Sequence, residues 1–460
     1  MPRDTTIAFP ATVWDEITDA LDREVESAGI LLAGVADTDN RLTFTVNRIE
    51  WVPDGSYLSR EAKHLEIASS GWMPALKAAL NDGLHPIFFH THPGGEPTPS
   101  IHDDRVDQAI AGSFRSRAAV PRYASFVLGR AAGRPAFTGH VLSDGADPVP
   151  ISHARIVGDR IQILAAFDSA SAAAQSAVHE RQVRAFGKDG QRILADLRVG
   201  AVGAGGTGSS VVEQLVRIGV GDIVVIDDDT ISPTNVSRVY GSSLADDGKP
   251  KVQVAEANAT RIGLGTKVRG HEGRIDRREA LELLRDRDIV FGCTDDHTGR
   301  LNLCRLAIHY LIPVIDLGIA IDAPSGQIRS ISGRFTYVAP GGPCLVCSRD
   351  IDLDRIREES YTDRERERLA GEGYAVGLGE PDPSVIAYTT MIAAWGIADL
   401  IERLFGFGDE RPAPGMVVRV ADRKMATRSR PIDSQHFCAD RRLWGQGDQP
   451  DFLGVRAWPA

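Results

Sequence analysis

His90 and His92 close the run PIFFHTH, and on a strand the two-residue period turns both imidazoles toward one face. A single metal ion can then touch both. Ser100 and Asp103 follow at the spacing H-x-H-x7-S-x2-D, and a third ligand from Asp103 leaves a coordination position open to water, as hydrolytic zinc requires. Zinc lowers the pKa of such a water toward neutrality, and a nearby glutamate can take its proton during attack on a carbonyl and return it to the leaving amine. Glu26, in EVESAGILLAG, is preferred to Glu24 for that task. His85, His102 and Asp104 lie beside the pattern and read as exposed residues without a role.

A second group of residues suits a nucleotide. The loop Gly203-Ala204-Gly205-Gly206-Thr207-Gly208 lies between an expected strand, LRVGAV, and an expected helix, and Asp227-Asp228-Asp229 ends the next strand. That order places phosphate at a helix N-terminus and a carboxylate near a ribose, although NAD or FAD would suit the same loop. Asn235 and Arg238 in TISPTNVSR and Lys251 in GKPKV add donors and charge suited to a triphosphate and its departing pyrophosphate. Asp295, in FGCTDDH, follows an apolar strand where a carboxylate could hold Mg2+. Cys344 and Cys347 with Cys438, and His436 as fourth ligand, would make a closed zinc site, a redox CxxC being the alternative. Cys293 is expected within a strand and Cys304 within a helix, both as packing residues.

The elements that must position these groups fall into two textures. The chain has 460 residues, 42% hydrophobic and 25% charged with 46 glycines, which fits a folded protein of about two to four domains. The first 160 residues mix short β-rich runs (LTFTVNRIEWV, PIFFHTH, ASFVLG) with helical patterns, an α+β rhythm. Residues 161–178 are expected to be a linker or helical connection, and residues 179–460 alternate strands and helices as a parallel α/β sheet does. A charged stretch after Cys347, SRDIDLDRIREESYTDRERERLAGEG, reads as a solvated helix or mobile crossover. Net charge is −11 without a lysine and arginine block, so neither nucleic acid nor a membrane surface is expected as partner. Five cysteines and a start lacking a basic-then-apolar pattern point to the cytoplasm, and the apolar run 384–401 reads as a buried helix.

With Gly29 three residues after Glu26, and with His90, His92, Pro93, Ser100 and Asp103, the first part resembles the JAMM (MPN-type) zinc metalloproteases. The resemblance implies a cytidine-deaminase-like α+β domain in which His90, His92 and Asp103 bind zinc, Glu26 is the general base and Ser100 steadies the oxyanion. It also implies cleavage of isopeptide or peptide bonds after ubiquitin-like C-termini. From about residue 178 onward, Arg181-Gln182, Gly203 to Gly208, Asp227, Asp229, Asn235, Arg238, Lys251 and Cys293-Thr294-Asp295 resemble the ThiF/MoeB-like adenylyltransferases, a Rossmann-like fold. That likeness implies Asp227 on the ribose, Asn235, Arg238 and Lys251 on the phosphates of ATP, magnesium on Asp295, and Arg181 on the γ-phosphate, supplied by the other subunit in homodimeric relatives. A homodimer is therefore expected. Together the two resemblances imply trimming, then adenylation, of a ubiquitin-like or sulfur-carrier protein ending in glycine. With no cysteine between Cys347 and Cys438, the activated carboxylate would pass to an external thiol, sulfur donor or amine. Adenylation of a small-molecule or tRNA carboxylate, a non-catalytic nucleotide-gated binding module and NAD-dependent oxidoreduction are the alternatives.

Overall fold

β-branched and aromatic runs in the first third become strands, and the helical patterns between them become the covers of one sheet. The computed structural model describes residues 3–62, 64–167, 177–359, 361, 383–408 and 410–449. In chain order the first unit contains β1 (Asp4–Pro10), α1 (Ala11–Asp19), β2 (Ala28–Asp37), β3 (Arg41–Trp51), β4 (Tyr57–Arg60), β5 (Leu65–Ile67), α2 (Met73–Asp82) and β6 (His85–Thr91). There follow α3 (Ile101–Ala118), β7 (Tyr123–Ala131), β8 (Arg134–Leu142), β9 (Val149–Pro150), β10 (His153–Val157) and β11 (Ile161–Ala165). Among the described residues nine strands form a mixed sheet, β11-β10-β1-β3-β2-β6-β7-β8-β9, and β4 pairs with β5 apart from it. Alternation along β6 sends Phe89 into a core with Trp14 and Ile17 of α1, and Phe88 into a second core with Leu76 of α2 and Phe114 of α3. His90 shares the period of Phe88 and so faces α3.

Two boundaries differ from the expected ones. β11 lies within 161–178 yet pairs antiparallel with β10 as an edge strand of this sheet, and Leu164 packs against the existing core. Residues 168–176 of the expected connection, like 360 and 362–373 of the charged stretch, lie outside the described residues. Residues 440–449, expected with the nucleotide-binding part, group with the first unit. The Gly34 amide donates to Gly445 O at 2.9 Å, Thr45 Oγ1 to the same oxygen at 3.0 Å, Asn47 Nδ2 to Trp444 O at 2.7 Å and the Asp37 amide to Asp448 Oδ2 at 2.8 Å. A Cβ at Gly34 would stand 2.2 Å from Gln446 C, so only glycine admits this crossing. Ending the chain at residue 439 is expected to speed amide exchange across residues 34–47 by at least about tenfold, since each lost bond contributes about 1 kcal/mol. Unchanged exchange would refute that packing.

The second unit runs α4 (Glu180–Asp196), β12 (Arg198–Val202), α5 (Gly206–Ile218), β13 (Asp222–Asp227), α6 (Lys251–Ile262), β14 (Lys267–Glu272), α7 (Arg278–Glu282), β15 (Ile289–Gly292), α8 (His297–His309) and β16 (Val314–Asp322). It continues with β17 (Ser330–Val338), α9 (Leu353–Glu359), α10 (Ile386–Phe405), β18 (Gly415–Arg419) and β19 (Lys424–Thr427). The sheet order is β14-β13-β12-β15-β16-β17-β18-β19, parallel as far as β16 and antiparallel beyond. Strand order reverses between β12 and β15, and a crevice for ligands opens at the carboxyl ends of strands at such a reversal. The apolar run expected as a buried helix is α10, which seats Gly396 against Leu317 of β16 where a Cβ would come within 2.8 Å. Among the described residues no helix is long and apolar enough to cross a membrane.

Candidate functional site

Antiparallel pairing sets Ala28 opposite His90, so the chain just before β2 lies beside the end of β6. The Thr91 amide donates to Ser27 O at 2.9 Å and the His92 amide to Leu128 O at 2.8 Å, which fixes both histidine backbones. His90 Nε2 and His92 Nε2 are 3.2 Å apart, and Asp103 oxygens lie 3.5 Å from the first and 3.9 Å from the second. Ligands of a tetrahedral ion bonded at about 2.0–2.1 Å sit about 3.4 Å apart, so this set fits a zinc ion. His92 Nδ1 lies 3.0 Å from Glu96 O, so its N–H donates there and Nε2 keeps a lone pair that a metal could take. Burial drives His90 down to about 4, leaving the neutral imidazole that binds metals.

Asp103 arrives from a different element. Ser100 caps α3: its hydroxyl oxygen accepts from the Asp103 amide at 3.2 Å, and its own amide donates to Asp103 Oδ2 at 2.6 Å. The reciprocal cap aims the Asp103 carboxylate and leaves the exposed Ser100 hydroxyl with a proton to donate. Glu26 is buried, and its main chain is clamped by Arg60, whose Nε donates to Glu26 O at 2.7 Å. Burial, and then the charge of Asp103, raise the Glu26 carboxyl to about 7. The folded protein therefore keeps a proton that the unfolded chain releases near 4.5, and the stability this contributes is lost as pH rises from about 4.5 to 7. Chelator-treated protein is expected to show that loss in denaturation measured against pH, and Glu26→Gln to abolish it. His85, expected exposed, is buried and packs edge-on to Phe44, because β6 lies between β2 and β7 with both faces covered.

In the second unit a cleft of about 450 Å3 lies at the strand-order reversal, with Gly203, Gly205, Gly206, Asp227, Asp229, Arg238, Lys251 and Asp295 in its wall. Gly203 has φ +93°, and a Cβ there would stand 2.6 Å from Cys293 O; one at Gly208 would stand 1.8 Å from Gly203 O. Only glycines let the loop turn this tightly, and the turn opens the amides at the start of α5 to the cleft. Asp227 accepts from the Ala204 amide at 2.5 Å and the Asp229 amide at 2.8 Å, while burial raises its pKa against the pull of Lys251. Lys251 Nζ lies 2.6 Å from Asp229 and 3.9 Å from Asp227. Asp295 is exposed in the wall, whereas its neighbour Asp296 takes bonds from the Thr294 hydroxyl and the Gly299 amide and caps α8.

Three nucleotide-site expectations land elsewhere. Asn235 is buried outside the cleft wall and accepts from the Ser232 amide at 3.2 Å, capping a helical turn. Gly208 packs against the loop behind the wall. Arg181 is exposed on α4 and does not line the cleft. Cys293 lies just past the end of β15 and lines the cleft, with burial pushing its thiol up; Cys304 is buried in α8.

The third group comes together as the pattern anticipates. Cys347 Sγ lies 3.6 Å from the sulfurs of Cys344 and Cys438 and 3.0 Å from His436 Nδ1, which is 3.9 Å from Cys344 Sγ. Sulfurs at about 2.3 Å from a tetrahedral zinc would be about 3.8 Å apart, so the cluster fits that ion. Asp433 Oδ2, 3.5 Å from His436 Nε2, orients the ring so that Nδ1 faces the sulfurs. Hydrogen bonding from Cys438 lowers the Cys344 thiol, favouring the thiolate.

Residues 179–438 match the ThiF family. The chain belongs to the ThiF family. Ahead of the ThiF part, residues 10–138 match prokaryotic homologs of the JAB domain. The SAMP-activating enzyme E1 of Haloferax volcanii is 31% identical over 161 residues, 35% of this chain and 56% of that protein. The molybdopterin-synthase adenylyltransferase of Escherichia coli is 35% identical over 171 residues, 37% of this chain and 66% of that protein. The chain thus spans less than two thirds of either relative. A crystal structure of E. coli MccB with ATP aligns over 57% of this chain and 74% of that one at 19% identity, with TM-score 0.44.

Within the ThiF cleft the structure adds residues that sequence reasoning passed over. Arg274 and Arg300 line the wall beside the Asp295–Asp296 pair. Arg300, five positions after Asp295, had a signal in its spacing from the CTD run. Its partner had none: Asp316 is fully buried, 3.4 Å from Arg300 and 2.6 Å from Arg334, and β16 brings it there by strand pairing.

Proposed function

We propose that the chain acts twice on one kind of protein, a ubiquitin-like or sulfur-carrier protein, first freeing its terminal glycine and then adenylating it. The observation that carries this reading is one chain holding both a His90–His92–Asp103 trio with Glu26 on the neighbouring segment before β2 and a ThiF cleft walled by Arg238, Lys251 and Asp295. The names of the ThiF relatives, a SAMP-activating enzyme and a molybdopterin-synthase adenylyltransferase, support the second activity.

In the JAB-type unit a zinc ion would supply Lewis acidity and a water acidic near neutrality. Glu26 takes the proton of the attacking water and delivers it to the departing amine. The Ser100 hydroxyl, its oxygen already accepting from Asp103, donates toward the carbonyl oxygen as it gains charge. In the ThiF cleft the glycine carboxylate attacks the α-phosphate of ATP, forming a mixed anhydride and expelling pyrophosphate. Asp227 receives the ribose; Arg238 and Lys251 offset the phosphate charge, Lys251 exchanging Asp229 for the nucleotide; Asp295 holds Mg2+. Arg181 would reach a second copy's nucleotide in a homodimer. The cysteine cluster would hold a structural zinc, and an external thiol or sulfur donor would accept the acyl group.

Intact mass spectrometry of ubiquitin-like proteins extended beyond their glycine tests this, with zinc-loaded chain, with and without Mg-ATP, beside Asp103→Ala. The expected result is tail loss with the wild type alone and an ATP-dependent gain of an adenylate. Unaltered tails together with pyrophosphate release on a small-molecule or tRNA carboxylate would overturn it. Silence in pyrophosphate release with every acceptor would leave the nucleotide as a gate for binding.

A further inference from the structure

α3 carries a buried carboxylate that the chemistry above does not use. Most of the helix is polar, and its inward stripe is Asp107, Ala111, Phe114 and Ala118, an apolar seam whose first member is an acid. Asp107 is 6% exposed. Burying a charge is costly unless its oxygens are bonded, and packing alone would be served better by leucine. Both oxygens are bonded: the hydroxyl of the fully buried Tyr123 donates to Oδ1, and His140 Nε2 lies 3.2 Å from Oδ2. Tyr123 opens β7 and His140 lies on β8, with Ser125 of β7 directly opposite His140 in the ladder.

One carboxylate thus ties α3 to two adjacent strands, which fixes the helix in rotation about its axis as well as in position along it. Asp103 lies four residues earlier, on the same face and about 6 Å up the axis. Its oxygens stand 3.5 Å and 3.9 Å from the two histidine nitrogens, so a small rotation of α3 would take it out of reach. The cap at Ser100 orients the Asp103 side chain relative to α3, but nothing in that cap orients α3 relative to β6.

We propose that Asp107 is a positioning residue for the metal centre, its contacts with Tyr123 and His140 setting α3 so that Asp103 closes the site with His90 and His92. The proposal rests on the reading of those three residues as ligands to one divalent metal.

The test uses the metal-free full-length chain, with Zn2+ titrated against a chromophoric chelator and Co2+ absorption recorded separately. Cobalt in the cysteine cluster shows sulfur charge-transfer bands that a His2Asp site lacks, so the two sites are read apart. Asp103→Ala supplies the baseline; if the wild type binds no more metal than this variant, the reading of the site fails, not the role of Asp107. Asp107→Leu is expected to weaken the His2Asp site about 10- to 100-fold, the effect usual for groups that orient ligands, and to leave the cysteine cluster unchanged. Asp107→Asn, able to accept from Tyr123 and to donate to His140, is expected to recover affinity to within about threefold. Phe114→Leu, on the same buried stripe, should lower stability without moving zinc affinity; an equal loss there would reduce Asp107 to packing and overturn the proposal. Wild-type affinity in Asp107→Leu would also overturn it. If Asp107→Leu does not fold, Tyr123→Phe decides: several-fold weaker zinc binding supports the proposal, and unchanged binding refutes it.

Discussion

Glu26→Gln is expected to cut the release of a C-terminal extension about 10²- to 10⁴-fold, the range removed with a general base. The substitution keeps the shape of the side chain and the Arg60 clamp on its main chain, and it takes away only the proton acceptor. Zinc affinity should stay, since the three ligands are untouched. Glu26 accepts a proton only when ionised, and in the metal-free site burial raises its carboxyl to about 7, so turnover should rise with pH as it ionises. Zinc favours the carboxylate, which sets the midpoint of the loaded protein below 7. Turnover measured from pH 5 to 8 should show that rise in the wild type and a flat, low profile in Glu26→Gln. A variant retaining most of the wild-type rate would remove Glu26 from the chemistry.

Asp295→Asn should lower ATP–pyrophosphate exchange about 10²- to 10³-fold, as expected when an electrostatic device of the transition state is removed. Its neighbour makes the comparison informative. Asp295 stands exposed in the cleft wall, so the substitution disturbs little else, and the thermal midpoint should not move. Asp296 is partly buried and takes the Thr294 hydroxyl and the Gly299 amide, so Asp296→Asn should lower stability at the start of α8 and affect exchange less. Exchange kinetics with thermal denaturation of both variants would separate these roles, and the reverse ranking would reassign the metal-binding carboxylate to Asp296.

Much of both sites was legible because ligand chemistry constrains spacing along the chain. Two histidines two apart on a strand share a face wherever that strand lies, and an aspartate three residues beyond a serine caps a helix by local bonds alone. The glycine loop is similar: Gly203 and Gly208 meet through backbone separated by only a few residues. Asn235 shows the limit, because asparagine at that spacing serves a local cap as readily as a phosphate, and its carbonyl was taken by the Ser232 amide.

What remained hidden depends on pairing between distant segments. His85 has the same neighbours in sequence as an exposed residue, and only the position of β6 between β2 and β7 buries it. Asp107 sits in the polar run IHDDRVDQ, where nothing along the chain separates a solvated acid from one held by Tyr123 and His140. Residues 440–449 look like a tail of the nucleotide-binding part, yet their carbonyls meet the amides and side chains of β2 and β3 across some 400 positions of chain. Local spacing thus brought the candidate metal and phosphate groups together, since short-range geometry along a strand, a loop or a helix start decides which nearby residues share a face. Burial, helix rotation and the membership of the last segment were settled by the fold alone, because hydrogen bonds and packing join residues according to their distance in space.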